Sequence, residues 1–142
     1  MHAANLAGQA ICITQTTAPH AFSYKITSLY KLPHGHAVAV GLPVIWEYMV
    51  DNMDKCIDSR GQEYLADVFN EITKAMGCQT PTEAIAKFRQ MIEEMELKNP
   101  VAENREEELE ILSTSVNPVR LKNNPVSIIN SVAYDIYSQI LM

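Results

Sequence analysis

Few features of this chain would let it be cross-linked, pleated or threaded through a bilayer. Its three cysteines, Cys12, Cys56 and Cys78, are odd in number and far apart. That excludes a disulfide framework and, with no Cys-x-x-Cys, a cysteine-based zinc site. Unpaired thiols suit a reducing compartment, so a soluble, cytoplasmic protein is expected. Lysine and arginine total 11 against 17 acidic residues, for a net charge of −6. No basic stripe forms, which argues against a nucleic-acid partner, since such a surface needs clustered cations to displace counterions. No run approaches the ~18–20 apolar residues of a membrane span. The apolar start, Met1 to Ile13, has no Lys or Arg ahead of it, so it does not read as a signal peptide. Glycine is scarce, and no segment alternates apolar and polar residues for long, which leaves strands without a signature. There is no repeat and no low-complexity linker, so residues 1–142 read as one domain.

What is present is helical periodicity. Apolar residues make up 47% and charged residues 20%, ordinary for a globule with a core. Ala3 to Thr14 predicts a first helix, apolar on nearly every face and therefore deeply buried. Pro19 suits the first turn of a second helix capped by Thr17 or Ala18, with Ile26, Leu29 and Tyr30 inward and a stop before Pro33. A third runs from about His34 to Asn52 with Pro43 inside it. Asp58 to Gly61 is a loop. Glu63 to Met76 predicts an amphipathic helix with Leu65, Val68, Phe69 and Ile72 on one side and Gly77 as C-cap. Thr80-Pro81-Thr82-Glu83 opens a helix that reaches about Leu97. Asn104 to Ser115 is a shorter acidic helix, Asn117 to Pro125 a loop, and Val126 to Leu141 a last helix with Ile129, Val132, Ile136 and Ile140 inward. The expected fold class is all-α.

Chemistry concentrates near the start. Pro19-His20-Ala21-Phe22-Ser23-Tyr24 is followed by Leu32-Pro33-His34-Gly35-His36-Ala37-Val38-Ala39-Val40 and Leu42-Pro43. Two Pro-preceded histidines thus stand fourteen positions apart, each where a helix begins, and neutral imidazole is the commonest protein metal ligand. Gly35 lets the backbone come close beside His34. His36, two residues on, points away from His34 on a helix, toward solvent or a supporting role. His2 sits at a fraying end. Two histidines are half of a metal site, since zinc or ferrous iron takes three or four side-chain ligands. Asp51, Asp54 and Asp58 lie too far along the third helix to join His34 and read as solvated charge.

These residues resemble a known family. His20-Ala21-x-Ser23-Tyr24, Pro33-His34-Gly35-x-Ala37-x-Ala39 and Leu42-Pro43 are similar to the second signature of the iron-containing alcohol dehydrogenases. Ala3-Ala4-Asn5-Leu6-Ala7-Gly8-Gln9-Ala10 looks like the buried Ala-Gly helix before that signature. Val119-Arg120-Leu121-Lys122-Asn123-Asn124-Pro125 looks like the Asn-Pro segment near the family's C-terminus. The resemblance covers essentially the whole chain and leans toward the phosphonoacetaldehyde reductase-like branch.

The resemblance implies the helical C-terminal half of such an enzyme. Its α/β nucleotide-binding half and the Asp-x-x-x-His ligand pair would lie upstream of Ala3, so the chain is expected to be a fragment, inactive by itself. His20 and His34 match the family's two later ligands to Fe(2+), or sometimes Zn(2+). The metal acts as a Lewis acid on an aldehyde or alcohol oxygen while hydride passes to or from NAD or NADP, which the absent half binds. Where many members carry a histidine four residues after the first of these ligands, this chain has Tyr24, a phenol to line the pocket or donate a hydrogen bond. Phe22 would shape the pocket beside it. For a phosphonate substrate, Lys25, Arg120 or Lys122 could pair with the dianion; each is otherwise an ordinary surface cation. Uncovered apolar surface on the first helix implies a homo-oligomer. Two other readings stay open: a non-catalytic helical interaction module, and one subunit of a split dehydrogenase.

Overall fold

A computed structural model describes all 142 residues. The elements are helical throughout: α1 His2–Ile13, α2 Ala18–Tyr30, α3 His34–Asp51, a short 3-10 turn Met53–Lys55, α4 Gly61–Ala75, α5 Pro81–Glu94, α6 Arg105–Ser115, α7 Pro118–Leu121 and α8 Asn130–Ile140. The only extended pairing is a single antiparallel bridge between Cys56 and Val126. No helix is long and apolar enough to cross a membrane.

Local chemistry explains most boundaries. Thr17 is the N-cap residue of α2, and Pro19 occupies its first turn, where a missing N–H costs nothing. Lys31 adopts a left-handed conformation (φ 57°) that ends α2, and Pro33 then leads directly into α3. Gly77, at φ 71°, turns the chain beyond α4, a conformation that suits a residue without a Cβ. At α5 the Thr80 hydroxyl accepts from the Glu83 amide at 3.2 Å, while the Glu83 carboxylate reaches back to the Gln79 amide at 2.8 Å. This reciprocal cap is displaced by one residue from the usual box. Glu96 takes a positive φ of 55°, so α5 ends at Glu94 rather than near Leu97.

α3 is the spine, packed against α2 on one side and against α5 and α8 on others. It stays helical through Pro43, which is buried. Phe22 and Ile26 from α2, Val40, Ile45 and Trp46 from α3, Leu109 and Leu112 from α6, and Ile136, Tyr137 and Ile140 from α8 form the centre of one continuous core. Each fully buried aliphatic or aromatic side chain contributes about 1.5–3 kcal/mol relative to exposure. Leu65 and Phe69 of α4 extend the core toward Trp46, whose ring lies 6.5 Å from Phe69.

Several expectations are corrected. α1 forms as predicted, but none of its residues is buried: Leu6 is 52% and Ile11 55% exposed. An apolar helix is buried only where a surface exists to receive it, and the rest of this chain offers none. Leu29 and Ile72 also face solvent, and Thr73 takes the inward place of Ile72 on α4. Between Asn117 and Pro125 the chain makes the short helix α7, begun by Asn117 accepting from the Val119 amide. The last helix starts at Asn130, not Val126, because residues 126–129 run extended. Val126 and Ile128 are buried and Ile129 is 62% exposed, the alternation of a strand-like segment.

Candidate metal centre

His20, Ser23 and Tyr24 stand at i, i+3 and i+4 on α2, one face of the helix. His34 is the first residue of α3. The three-residue connection folds α3 back on α2, and the two imidazoles meet with ring centroids 5.5 Å apart and planes tilted by 58°. Two imidazoles bound to one tetrahedral ion at about 2.0–2.1 Å would place their centroids roughly 5 Å apart. The observed separation suits such a pair of donors.

The protonation chemistry also suits it. Burial, and then the charge of His34, push the His20 pKa below the ordinary 6.5, so the ring holds its neutral, lone-pair-bearing form at neutral pH. The Ser23 hydroxyl donates to the His20 carbonyl at 2.9 Å and lies 3.3 Å from His34 Nδ1. With its proton committed to that carbonyl, Ser23 Oγ can only accept from His34. That bond puts the His34 proton on Nδ1, and Nε2 carries the free lone pair that could bind a metal. Ser23 is fully buried. Its role was not read from the sequence, although its i+3 spacing from His20 carries the signal.

The Tyr24 ring stacks on His34 with centroids 5.4 Å apart and an interplanar angle of 24°. On its other side stands Arg120. The Arg120 guanidinium lies 4.6 Å from the centre of the Tyr24 ring, and its Nη1 donates to the Tyr24 hydroxyl at 2.8 Å. A row of four side chains results: His20, His34, Tyr24, Arg120. Of the three cations considered from sequence, Arg120 alone joins it; Lys25 and Lys122 have no side-chain partner.

Phe22 does not line this site. It points the opposite way from α2, fully buried, with its ring 4.8 Å from Tyr137 and its carbonyl accepting from the Tyr137 hydroxyl at 2.9 Å. A residue two positions from His20 lies about 200° around a helix, which dictates this. His36, two positions after His34, likewise turns away; its Nε2 bonds the Lys98 carbonyl at 2.8 Å. Asp58 pairs with Arg60 at 2.7 Å, apart from the histidines. No group of three or more His, Cys, Asp or Glu side chains gathers anywhere in the chain. The two imidazoles fit a metal as part of a ligand set, and any further ligand would come from outside residues 1–142.

A curated phosphonoacetaldehyde reductase of Streptomyces viridochromogenes is 34% identical over 92 residues, covering 63% of this chain and 23% of the relative. Aldehyde-alcohol dehydrogenase 2 of Entamoeba histolytica is 32% identical over 100 residues, covering 67% of this chain and 12% of the relative. The chain thus spans under a quarter of the length of these relatives. No solved structure matches it. The model of the family described as "Fe-containing alcohol dehydrogenase family, C-terminal" matches residues 1–141. By that match over almost its whole length, the chain belongs to the C-terminal part of the iron-containing alcohol dehydrogenase family.

Proposed function

We propose that this domain supplies two ligands, His20 and His34, to the metal of an aldehyde or alcohol oxidoreductase that uses NAD or NADP, and that Tyr24 lines the substrate pocket beside them. The observation that carries the reading is the 5.5 Å approach of the two rings, made by two helices that lie within the residues the family model matches. Bound Fe(2+) or Zn(2+) would supply Lewis-acid polarisation of a carbonyl oxygen. The chain's own residues do the positioning. Ser23 holds the His34 tautomer, and burial keeps His20 unprotonated. The Tyr24 ring braces one face of His34 and presents a hydroxyl whose position Arg120 sets.

The test is a titration of the purified chain with Zn(2+), followed by the histidine ring resonances. Both rings should shift together at one stoichiometric step, and His20→Ala or His34→Ala should each abolish that step. Independent responses of the two rings would overturn the reading. With NAD(P)H and an aldehyde the chain alone should show no turnover, since two ligands leave the metal incompletely held.

A second reading concerns association. The bare apolar face of α1 supports the proposal that copies of this chain self-associate through that helix. It is compatible with the first reading and also with a purely structural module, which the zinc titration would separate.

A further inference from the structure

α7 is four residues long and buries none of them, so it is seated by side-chain contacts rather than by a core of its own. Two hydrogen bonds fasten it to residues on either side of His20 in the chain. Asn123 Nδ2 donates to Gln15 Oε1 at 2.7 Å, and Arg120 Nη1 donates to the Tyr24 hydroxyl at 2.8 Å. The Arg120 guanidinium also lies 4.6 Å from the centre of the Tyr24 ring, so Arg120 holds that ring by its face and by its hydroxyl at once. None of the chain's three ion pairs includes Arg120, and Tyr24 is its only side-chain partner.

His34 is the ligand in need of such support. It is exposed, begins α3, and makes one hydrogen bond, the 3.3 Å contact of Nδ1 with Ser23. The torsion that turns an imidazole plane has broad wells, so one bond at the ring edge sets the tautomer without fixing the plane. The Tyr24 ring, stacked at 5.4 Å and 24° from parallel, blocks that rotation. As a bare charge, Arg120 would oppose a metal cation nearby. Any gain it brings to metal binding therefore comes through geometry.

We propose that Arg120 is a positioning residue for His34: by clamping Tyr24 against the imidazole, α7 becomes a determinant of metal affinity from ninety-six positions beyond Tyr24. The effect on metal rests on the metal reading above; the clamp on the two rings does not.

The experiment compares the parent chain with Arg120→Lys, which keeps the charge and loses the planar fork. Without metal, the ring-current shift of the His34 ring protons and their Overhauser contacts to Tyr24 report the stack. Calorimetric titration with Zn(2+) reports affinity. Arg120→Lys should lose most of the shift and bind zinc about tenfold more weakly, the lower end of the effect of groups that orient a metal-bound histidine. Tyr24→Leu should match it. Adding Arg120→Lys to Tyr24→Leu should change neither readout further, a non-additivity that two separate structural roles would not produce. Lys122→Gln, on the same exposed segment, should leave both readouts at the parent values. Tyr24, Arg120 and Lys122 are all exposed, and a circular dichroism melt verifies that each variant folds. An unaltered His34 shift in Arg120→Lys, or additive losses in the double variant, would overturn the clamp. A lost shift with undiminished zinc affinity would overturn the positioning role. A parent chain that binds no zinc, with the shift still lost in Arg120→Lys, would fault the metal reading alone and uphold the clamp.

Discussion

Ser23 Oγ sits 3.3 Å from His34 Nδ1 while donating to the carbonyl of His20, so one buried hydroxyl ties together the two helices that carry the imidazoles. Groups that orient a metal-bound histidine typically change affinity about 10–100-fold when removed. Ser23→Ala should weaken zinc binding by that order, measured by isothermal titration. Equal affinity in parent and variant would show that Ser23 is packing only.

The depressed His20 pKa has a directional consequence for ligation. Protons compete with metal for the same nitrogen. Because burial and His34 hold His20 below the ordinary 6.5, zinc should remain on the chain at a pH where a free imidazole is already half protonated. The same shift makes the unfolded chain bind more protons than the folded one, so its contribution to stability is full above 6.5 and fades as pH falls through the lowered value. Zinc titrations stepped downward from pH 7 test this; release centred above 6.5 would contradict it.

A second acid-side effect lies outside the site. Arg60 holds the Asp58 carboxyl at about 2, against an ordinary 3.8. The Asn104 amide, and then the Tyr30 hydroxyl, lower that of Glu108. Depressed carboxylates stabilise the fold above their unfolded pKa, and that support is lost as pH falls through the folded value. Urea midpoints should therefore drop between about pH 4 and pH 2, and Asp58→Asn should flatten that limb. An unchanged limb in the variant would place the acid sensitivity elsewhere.

Tyr137 tests the core independently of the chemistry. It is fully buried, burial raises its pKa, and its hydroxyl is bound to the Phe22 carbonyl. Tyr137→Phe should cost about 1 kcal/mol, and Tyr137→Ala about 3–5 kcal/mol, in urea unfolding. Zinc affinity of the phenylalanine variant should match the parent.

The uncovered first helix predicts self-association. Light scattering at micromolar concentration should report a mass above that of one chain, and Leu6→Glu should return it to one chain. In that monomeric variant the α1 amides should exchange with solvent far faster than those of α3, because an isolated helix of under ~12–15 residues is marginal in water. A monomeric parent chain would sink the proposal.

Residues that interrupt helices made most of the fold readable. Pro19, Pro33, Gly77 and the Thr80-Pro81 pair act through local sterics and capping, and each boundary they mark is present. Burial was less legible, because periodicity says which face is apolar and not whether anything covers it; α1 and Leu29 are the cases in point. Val126 to Ile129 misled for another reason: a short run of β-branched residues fits a helix or an extended segment equally, and the pairing of Val126 with Cys56 decided it. At the candidate site, the helical spacing of His20, Ser23 and Tyr24 already held their common face and the exclusion of Phe22. The approach of Arg120 was not readable, since it depends on α7 crossing from ninety-six positions away.

The brevity of the Lys31–Pro33 connection reaches beyond geometry. Contacts between residues close in sequence need little loop-closure entropy and tend to arise early in folding. The hairpin of α2 and α3 can bring its two rings together before distant segments such as α8 have docked. A cation arriving later meets donors already ordered, so its binding energy is not drawn down by arranging them.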